Sequence, residues 1–332
     1  MTLRATELVP YRTLLRAEAA IGAPSIGPFL PGQTLTIRTT PALPYRVSIN
    51  GLGFRGLEIS RSKTPGTIRI VAIGGSHTFG LYVDGDETWP ARLEAYLRGD
   101  YPDLGIEVIN AGVDGLSLTA TASLLHERIL GLEPDLVILG HSLDSILAPE
   151  SSATDLEPRG RLWSPLRHTA TVNLFRMVGS YIPGQDRSKR PDPAFTTALL
   201  ERPDGAATSS LLDLYGRDLA EIKALLDEEG IPCFVLLFPA REQVARGTGE
   251  AIQQRVAAIH REIGIPAIDL LPAYRRYDRN GIKYFLLPAD DHPSPRGYRR
   301  GARELSSALR PLLQRWEAAG AGGEAKASGG VS

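Results

Sequence analysis

Ser76 directly follows Gly74-Gly75, which end an apolar run rich in β-branched residues, Ile68, Ile70, Val71 and Ile73. A buried strand that breaks at a Gly-Gly turn presents its next side chain at the carboxyl edge of a sheet. Open α/β sheets bind their ligands at that edge. A serine hydroxyl is a poor nucleophile at neutral pH. It needs a base within hydrogen-bond reach, and the base needs a third group to orient it.

Six histidines are available. His126 and His260 fall in segments of helical spacing and His168 in an irregular stretch, so all three are assigned to packing or to the surface. His77 adjoins Ser76, and its side chain is expected to point elsewhere. His141 follows an apolar strand and could line a site, but nothing beside it is arranged to orient it as a base. His292 is the leading candidate. It lies in LLPADDHPSPRGY, flanked by proline, with Asp290 and Asp291 immediately before it. A carboxylate two residues before a histidine on a turn can receive its Nδ1–H. Taken alone, Asp-Asp-His-Pro is equally a helix-capping acidic loop or half of a metal site. A metal site needs more convergent His, Asp or Glu ligands than the sequence offers, and no metal or organic cofactor is expected.

These residues must be positioned by regular elements. Thr67 to Ile73, Pro134 to Gly140, Ile231 to Pro239 and Pro266 to Pro272 are short apolar runs that read as strands, and Ile106 to Ser117 reads as another strand followed by a glycine-rich turn. Between them, Thr88 to Arg98, Leu116 to Leu130, Leu211 to Leu226 and Ile252 to Ile263 have helical spacing. Pro295 to Trp316 forms a last helix, which Pro311 is expected to kink or split. The alternation predicts an α/β fold, a three-layer α/β/α sandwich around a doubly wound, five-stranded parallel sheet. Its carboxyl-end loops bring Ser76, Gly115 and the residues after Gly140 to one edge.

Residues 1–66 read as an N-terminal arm packing on a main domain at 67–316. Leu3 to Ile21 has the pattern of an amphipathic helix, and TLTIRTT that of a strand. In NGLGFRG (50–56), Phe54 is suited to plug an apolar pocket, and Arg55 to bond nearby carbonyls or a carboxylate. Residues 148–209 are rich in Pro, Gly, Arg, Ser and Asp and form an insertion near the site. Its arginines and Trp163 could meet a sugar or an anionic acyl partner, or simply face water. Residues 317–332 are low in hydrophobicity, and a disordered tail is expected.

Composition removes some classes. The 332 residues carry 37 basic and 38 acidic side chains, a net charge of -1, without the basic excess of nucleic-acid or membrane-surface binders. Cys233 is the only cysteine, so no intramolecular disulfide forms; its apolar surroundings place it in the core. No run of about 18 apolar residues occurs, and the first residues lack the apolar segment of a signal peptide. A cytoplasmic protein without a membrane span is expected. Composition leaves the oligomeric state open.

Four blocks, GGSHTFG (74–80), NAGVDG (110–115), PDLVILGHS (134–142) and DDHPSPRGY (290–298), resemble in order and spacing those of the SGNH/GDSL hydrolase superfamily. The likeness covers roughly Val47 to Trp316. NGLGFRG resembles a feature of one bacterial branch, which favours Gly-Gly-Ser over Gly-Asp-Ser. The resemblance implies the flavodoxin-like fold of that superfamily, Ser76 as nucleophile, His292 as base and Asp290 as its acidic partner in an Asp-x-His spacing. The commoner Asp-x-x-His spacing falls on Ala289, and Asp291 is the fallback. It also implies that the N–H groups of Ser76 and Gly115 are oxyanion donors. One position departs from the pattern. The family's side-chain donor, an asparagine two residues after the glycine, is here Ser142, whose hydroxyl is shorter. Ser142 or His141 substitutes, or a shifted alignment brings in Asp144, whose charge would oppose an oxyanion.

Three functions fit these observations. The first is a serine esterase acting on a short-chain or carbohydrate O-acyl ester. The second is an O-acyltransferase on the same triad. The third is a binding protein that kept the fold without catalysis.

Overall fold

The computed structural model describes residues 8–9, 26–37, 44–146, 199–286 and 292–320. Ahead of the main sheet, β1 (Leu8–Val9) pairs parallel with β2 (Gln33–Ile37), which pairs antiparallel with β3 (Tyr45–Ile49). The helix expected over Leu3 to Ile21 is therefore overturned at Leu8–Val9, which are extended. Val9 precedes Pro10, whose ring disfavours the helical conformation of the residue before it. The rest of that segment lies outside the described residues. β3 was not anticipated. Its inward side chains Tyr45, Val47 and Ile49 form a small core with Phe29, Leu35, Phe79 and Leu81.

The five apolar runs are β4 (Thr67–Gly74), β5 (Gly105–Gly112), β6 (Leu136–Ser142), β7 (Cys233–Phe238) and β8 (Ala267–Asp269). They pair throughout as parallel neighbours in the order β5-β4-β6-β7-β8. Among the described residues the α-helices are α1 (Ser76–Phe79), α2 (Trp89–Asp100), α3 (Leu118–Leu124), α4 (Leu143–Ile146), α5 (Ala206–Glu228), α6 (Arg241–Arg246), α7 (Glu250–Ile263), α8 (Leu271–Tyr277) and α9 (Pro295–Ala318). One face of the sheet packs on α2 and α9 through Ile70, Ile138, Leu236, Leu93 and Leu305. The other packs on α3, α5 and α7 through Val71, Leu139, Val235, Leu219 and Val256. With both faces covered, β4 is buried along almost its whole length, which is why it reads as an apolar run after Arg69, itself buried and paired with Glu107. This is the doubly wound sandwich that the sequence predicts.

Two helices differ from expectation. The segment after β5 leaves α geometry at Leu124, continues as a π turn over Leu125–Ile129 and closes as a 3-10 turn. α9 runs as one helix through Pro311 to Ala318. Pro311 is on the exposed side, where the carbonyl that loses its N–H partner can turn to water. Of the expected tail at 317–332, Glu317 and Ala318 instead complete α9, and residues 321–332 lie outside the described residues; of the expected insertion at 148–209, residues 206–209 instead open α5, and residues 148–198, Trp163 included, lie outside them.

Glycine prepares the floor of the site. Gly74, Gly112 and Gly140 stand in register at the ends of three adjacent strands. A Cβ on Gly112 would overlap the backbone nitrogen of Phe79, and one on Gly140 would overlap Thr78 Oγ1. The bare strand ends let α1 lie directly on the sheet, and α1 carries Ser76.

Candidate active site

Ser76 is the first residue of α1, with Gly75 as its N-cap. Its Oγ lies 2.8 Å from His292 Nε2. The residues join across a sequence separation of 216, so the pair is a product of the fold. The block that carries His292 is fixed at its far side by local rules. Ser294 caps α9 by accepting the N–H of Gly297 at 3.3 Å, and Pro295 takes the first helical position. The main chain of His292 and Ser294 pairs with Leu286 and Tyr284, and Pro293 forms a bridge with Phe285. Asp290 and Asp291 lie outside the described residues.

The Gly115 turn follows β5 and is tied to the serine turn. The Val113 N–H donates to Gly74 O at 2.9 Å, and Leu116 N–H closes the turn on Val113 O at 3.2 Å. Gly115 itself has φ +77°, a conformation that suits glycine. The N–H groups of Ser76 and Gly115 have no partner among the described residues. Ser142 is buried at the end of β6, beside Phe238 in register. The side chain of Asp144 lies outside the described part.

The histidines beside the site depart from expectation. His77 does not point away. Its ring stacks on that of His292, with centroids 4.7 Å apart and planes at 30°, and it also rests on Phe238. The His292 loop crosses the start of α1 and so meets two consecutive side chains. Tyr82, which carried no signal in the sequence, meets the same imidazole at 5.2 Å and 87°.

His141 is oriented after all, but toward the core. Its Nδ1 is 3.0 Å from the Tyr215 hydroxyl, which is 2.6 Å from His260 Nε2. Burial lowers the pKa of His141 to about 3, and the neighbouring His260 adds to the effect. Burial alone lowers that of His260 to about 4. Both rings are therefore neutral at ordinary pH. His141 Nε2 is buried without a hydrogen-bond partner among the described residues. A proton on Nδ1, donated to Tyr215, leaves a bare acceptor there, the milder of the two deficits. The i, i+4, i+8 spacing of Ile252, Val256 and His260 was the available signal that His260 faces inward.

Arg55 completes the surroundings. Its Nη1 donates to the carbonyls of Phe79 and Gly80 at 2.8 and 2.7 Å, and its Nη2 to that of Val83 at 2.6 Å and that of Arg46 at 3.3 Å. Carbonyls are one of the two partner types expected for it. Phe54 is fully buried in the core beside α3, as a plug would be. Arg55 also bridges β3 and β5 through Ile49 and Asn110. Among the described residues no helix is long and apolar enough to cross a membrane. Among the same residues no group of three or more His, Cys, Asp or Glu is placed to hold a metal ion. Burial pushes the Cys233 thiol up to about 12, which leaves it unreactive.

A serine hydroxyl bonded to an imidazole nitrogen, at the carboxyl edge of a parallel sheet and beside backbone N–H groups without a partner among the described residues, can carry out acyl transfer. Comparison with known proteins adds the following. The model of the GDSL-like lipase/acylhydrolase family matches residues 72–300. Similar solved structures include TesA, at 16% identity and TM-score 0.44 over 74% of this chain and 99% of that one. Another is LAE5, an alpha/beta hydrolase enzyme from the metagenome of Lake Arreo, Spain, at 15% identity and TM-score 0.44 over 75% of this chain and 98% of that one. A variant of Axe2, an acetyl-xylooligosaccharide esterase from a Geobacillus, gives 19% identity and TM-score 0.44 over 75% and 95%. Comparison with curated protein sequences finds no match.

Proposed function

The chain belongs to the GDSL-like lipase/acylhydrolase family and is a carboxylic ester hydrolase of that type, and we propose that it works through an acyl-enzyme on Ser76. The observation that carries this reading is the 2.8 Å contact between Ser76 Oγ and His292 Nε2. His292 takes the proton of Ser76 as the oxygen attacks the ester carbonyl. The N–H groups of Ser76 and Gly115 hold the oxyanion, with Ser142 as a third donor. His292 then gives its proton to the departing alkoxide, and water, activated by the same imidazole, releases the acid. Asp290 is assigned to hold the Nδ1 proton of His292, with Asp291 as the alternative.

The substrate class we assign is a short-chain or carbohydrate O-acyl ester. The test joins a fluorophosphonate probe with a panel of aryl and sugar acetates. Labelling and hydrolysis are expected in wild type and absent in Ser76→Ala. His292→Ala should lower kcat by about 10⁴-fold or more, and Ser142→Ala by about 10- to 100-fold. Labelling that persists in Ser76→Ala, or hydrolysis of no ester in the panel, rejects the reading. Acyl transfer to an added sugar in preference to water would make the protein a transferase on the same intermediate.

A further inference from the structure

We propose that Tyr82 is a positioning residue that sets the ring of His292 for proton transfer, an inference that rests on reading His292 and Ser76 as base and nucleophile. The χ2 torsion of histidine is broad, so the orientation of an imidazole must come from its contacts. Besides the bond to Ser76 and the partner assigned to Nδ1, two rings supply such contacts here. The His77 ring is tilted at 30° to His292 and the Tyr82 ring lies nearly perpendicular to it, with centroids 4.7 and 5.2 Å away. A stacked and an edge contact together restrict both torsions of the ring, and so the direction of Nε2 toward Ser76 Oγ.

The backbone of Tyr82 shows how firmly that contact is imposed. Its φ is +70°, in the left-handed region that a bulky residue rarely enters. Among the described residues the one other non-glycine case is Glu133, which merely ends a helical segment. A residue persists in such a conformation where its surroundings over-determine it, and such residues cluster at functional sites. The surroundings here belong to the N-terminal arm. Arg55 holds the carbonyls of Phe79 and Gly80 before Tyr82 and that of Val83 after it. The Arg46 N–H donates to Asp84 Oδ1 at 2.7 Å, and the Tyr45 ring meets the Tyr82 ring at 6.1 Å and 75°. Glycine would suit the backbone better at position 82, yet only an aromatic ring makes the contact with His292.

Three variants separate positioning from a structural role. Tyr82→Phe keeps the ring. Tyr82→Asn and Tyr82→Gly remove it while suiting the left-handed backbone. The readouts are the rate of fluorophosphonate labelling, kcat and KM on an aryl acetate, and Tm. Tyr82→Phe should stay within about twofold of wild type. Tyr82→Asn and Tyr82→Gly should lose about 10- to 100-fold in labelling rate and kcat, with KM within about threefold and Tm not reduced. Three results overturn the proposal: wild-type rates in the Asn and Gly variants, an equal loss in the Phe variant, or an activity loss that matches the fraction unfolded. If wild type itself does not label at Ser76, the underlying reading fails first, and no working base is left to position.

Discussion

Replacing Arg55 by Met should destabilise the protein by about 3–5 kcal/mol, the range for breaking a buried, hydrogen-bonded charge network. The side chain is 2% exposed, so little water competes for its contacts. Three of its bonds to carbonyls are 2.6 to 2.8 Å long. Hydrogen bonds from a charged donor contribute about 1.5–3 kcal/mol each, which sets an upper sum of about 9 kcal/mol for three. Removing the buried charge also removes its desolvation cost, and the freed carbonyls recover part of their bonding from water. Both effects pull the net value down. The guanidinium also lies over the Phe79 ring at 4.6 Å, a contact of about 1 kcal/mol that methionine replaces only in part. Lysine should recover less than half the loss, because one ammonium cannot span the Phe79–Gly80 and Val83 carbonyls together. Urea denaturation reads both variants as shifts in midpoint at constant slope. A loss below about 1 kcal/mol for Met, or a Lys variant equal to wild type, would refute the idea that this fork fastens the turn.

Two further perturbations test the floor and the core of the site. Gly112→Ala places a methyl group on the backbone nitrogen of Phe79; it should displace α1, cost about 2–3 kcal/mol and abolish fluorophosphonate labelling. The neutral pair His141 and His260, lowered to about 3 and 4, makes stability depend on acid. Unfolded histidines take up protons below about pH 6.5 that the folded pair refuses, so stability is complete above that pH and falls as pH drops toward 4. Denaturation free energies measured across that window should lose up to about 1.4 kcal/mol per pH unit of slope in His260→Gln, and an unchanged slope would show that His260 is not held neutral.

The sheet was legible because its inner strands are covered on both sides, so β4, β6 and β7 appear as mostly apolar runs, the first two reaching a glycine. The positions of Ser76 and His292 were legible for a related reason. One stands at a strand end, and the other in a capped turn whose Ser and Pro obey local rules. What was missed depends on contacts between distant segments. The carbonyls that Arg55 holds at Phe79, Gly80 and Val83 lie 24 to 28 positions further along the chain, and carbonyls carry no sequence identity. The left-handed backbone at Tyr82 falls in Gly-Leu-Tyr-Val, without the Gly or Asn at that position that would have announced it. His77 was misplaced because adjacency to Ser76 says where its side chain starts and not which loop crosses above it. Tyr215 lies in a helical row of leucines, so its hydroxyl was hidden by the apolar pattern of the ring.

Two of these misses, Arg55 and Tyr82, share a direction, from the N-terminal arm toward the site. A tyrosine in the left-handed region costs about 1–2 kcal/mol relative to an unstrained residue. The Arg55 fork, at about 3–5 kcal/mol, is more than sufficient to hold it there. The balance is instructive, because a turn that needed only to connect α1 to the following segment would be better served by glycine at position 82, with no fork at all. Fork and strained residue together make sense if the ring on that residue has work to do, and of the two rings it meets, Tyr45 and His292, the nearer is that of His292. On this argument the arm contributes to catalysis without reaching the substrate: Arg55 fixes the turn, the turn fixes Tyr82, and Tyr82 fixes the base. Loosening Arg55 should then reduce kcat even under conditions where the fold remains intact.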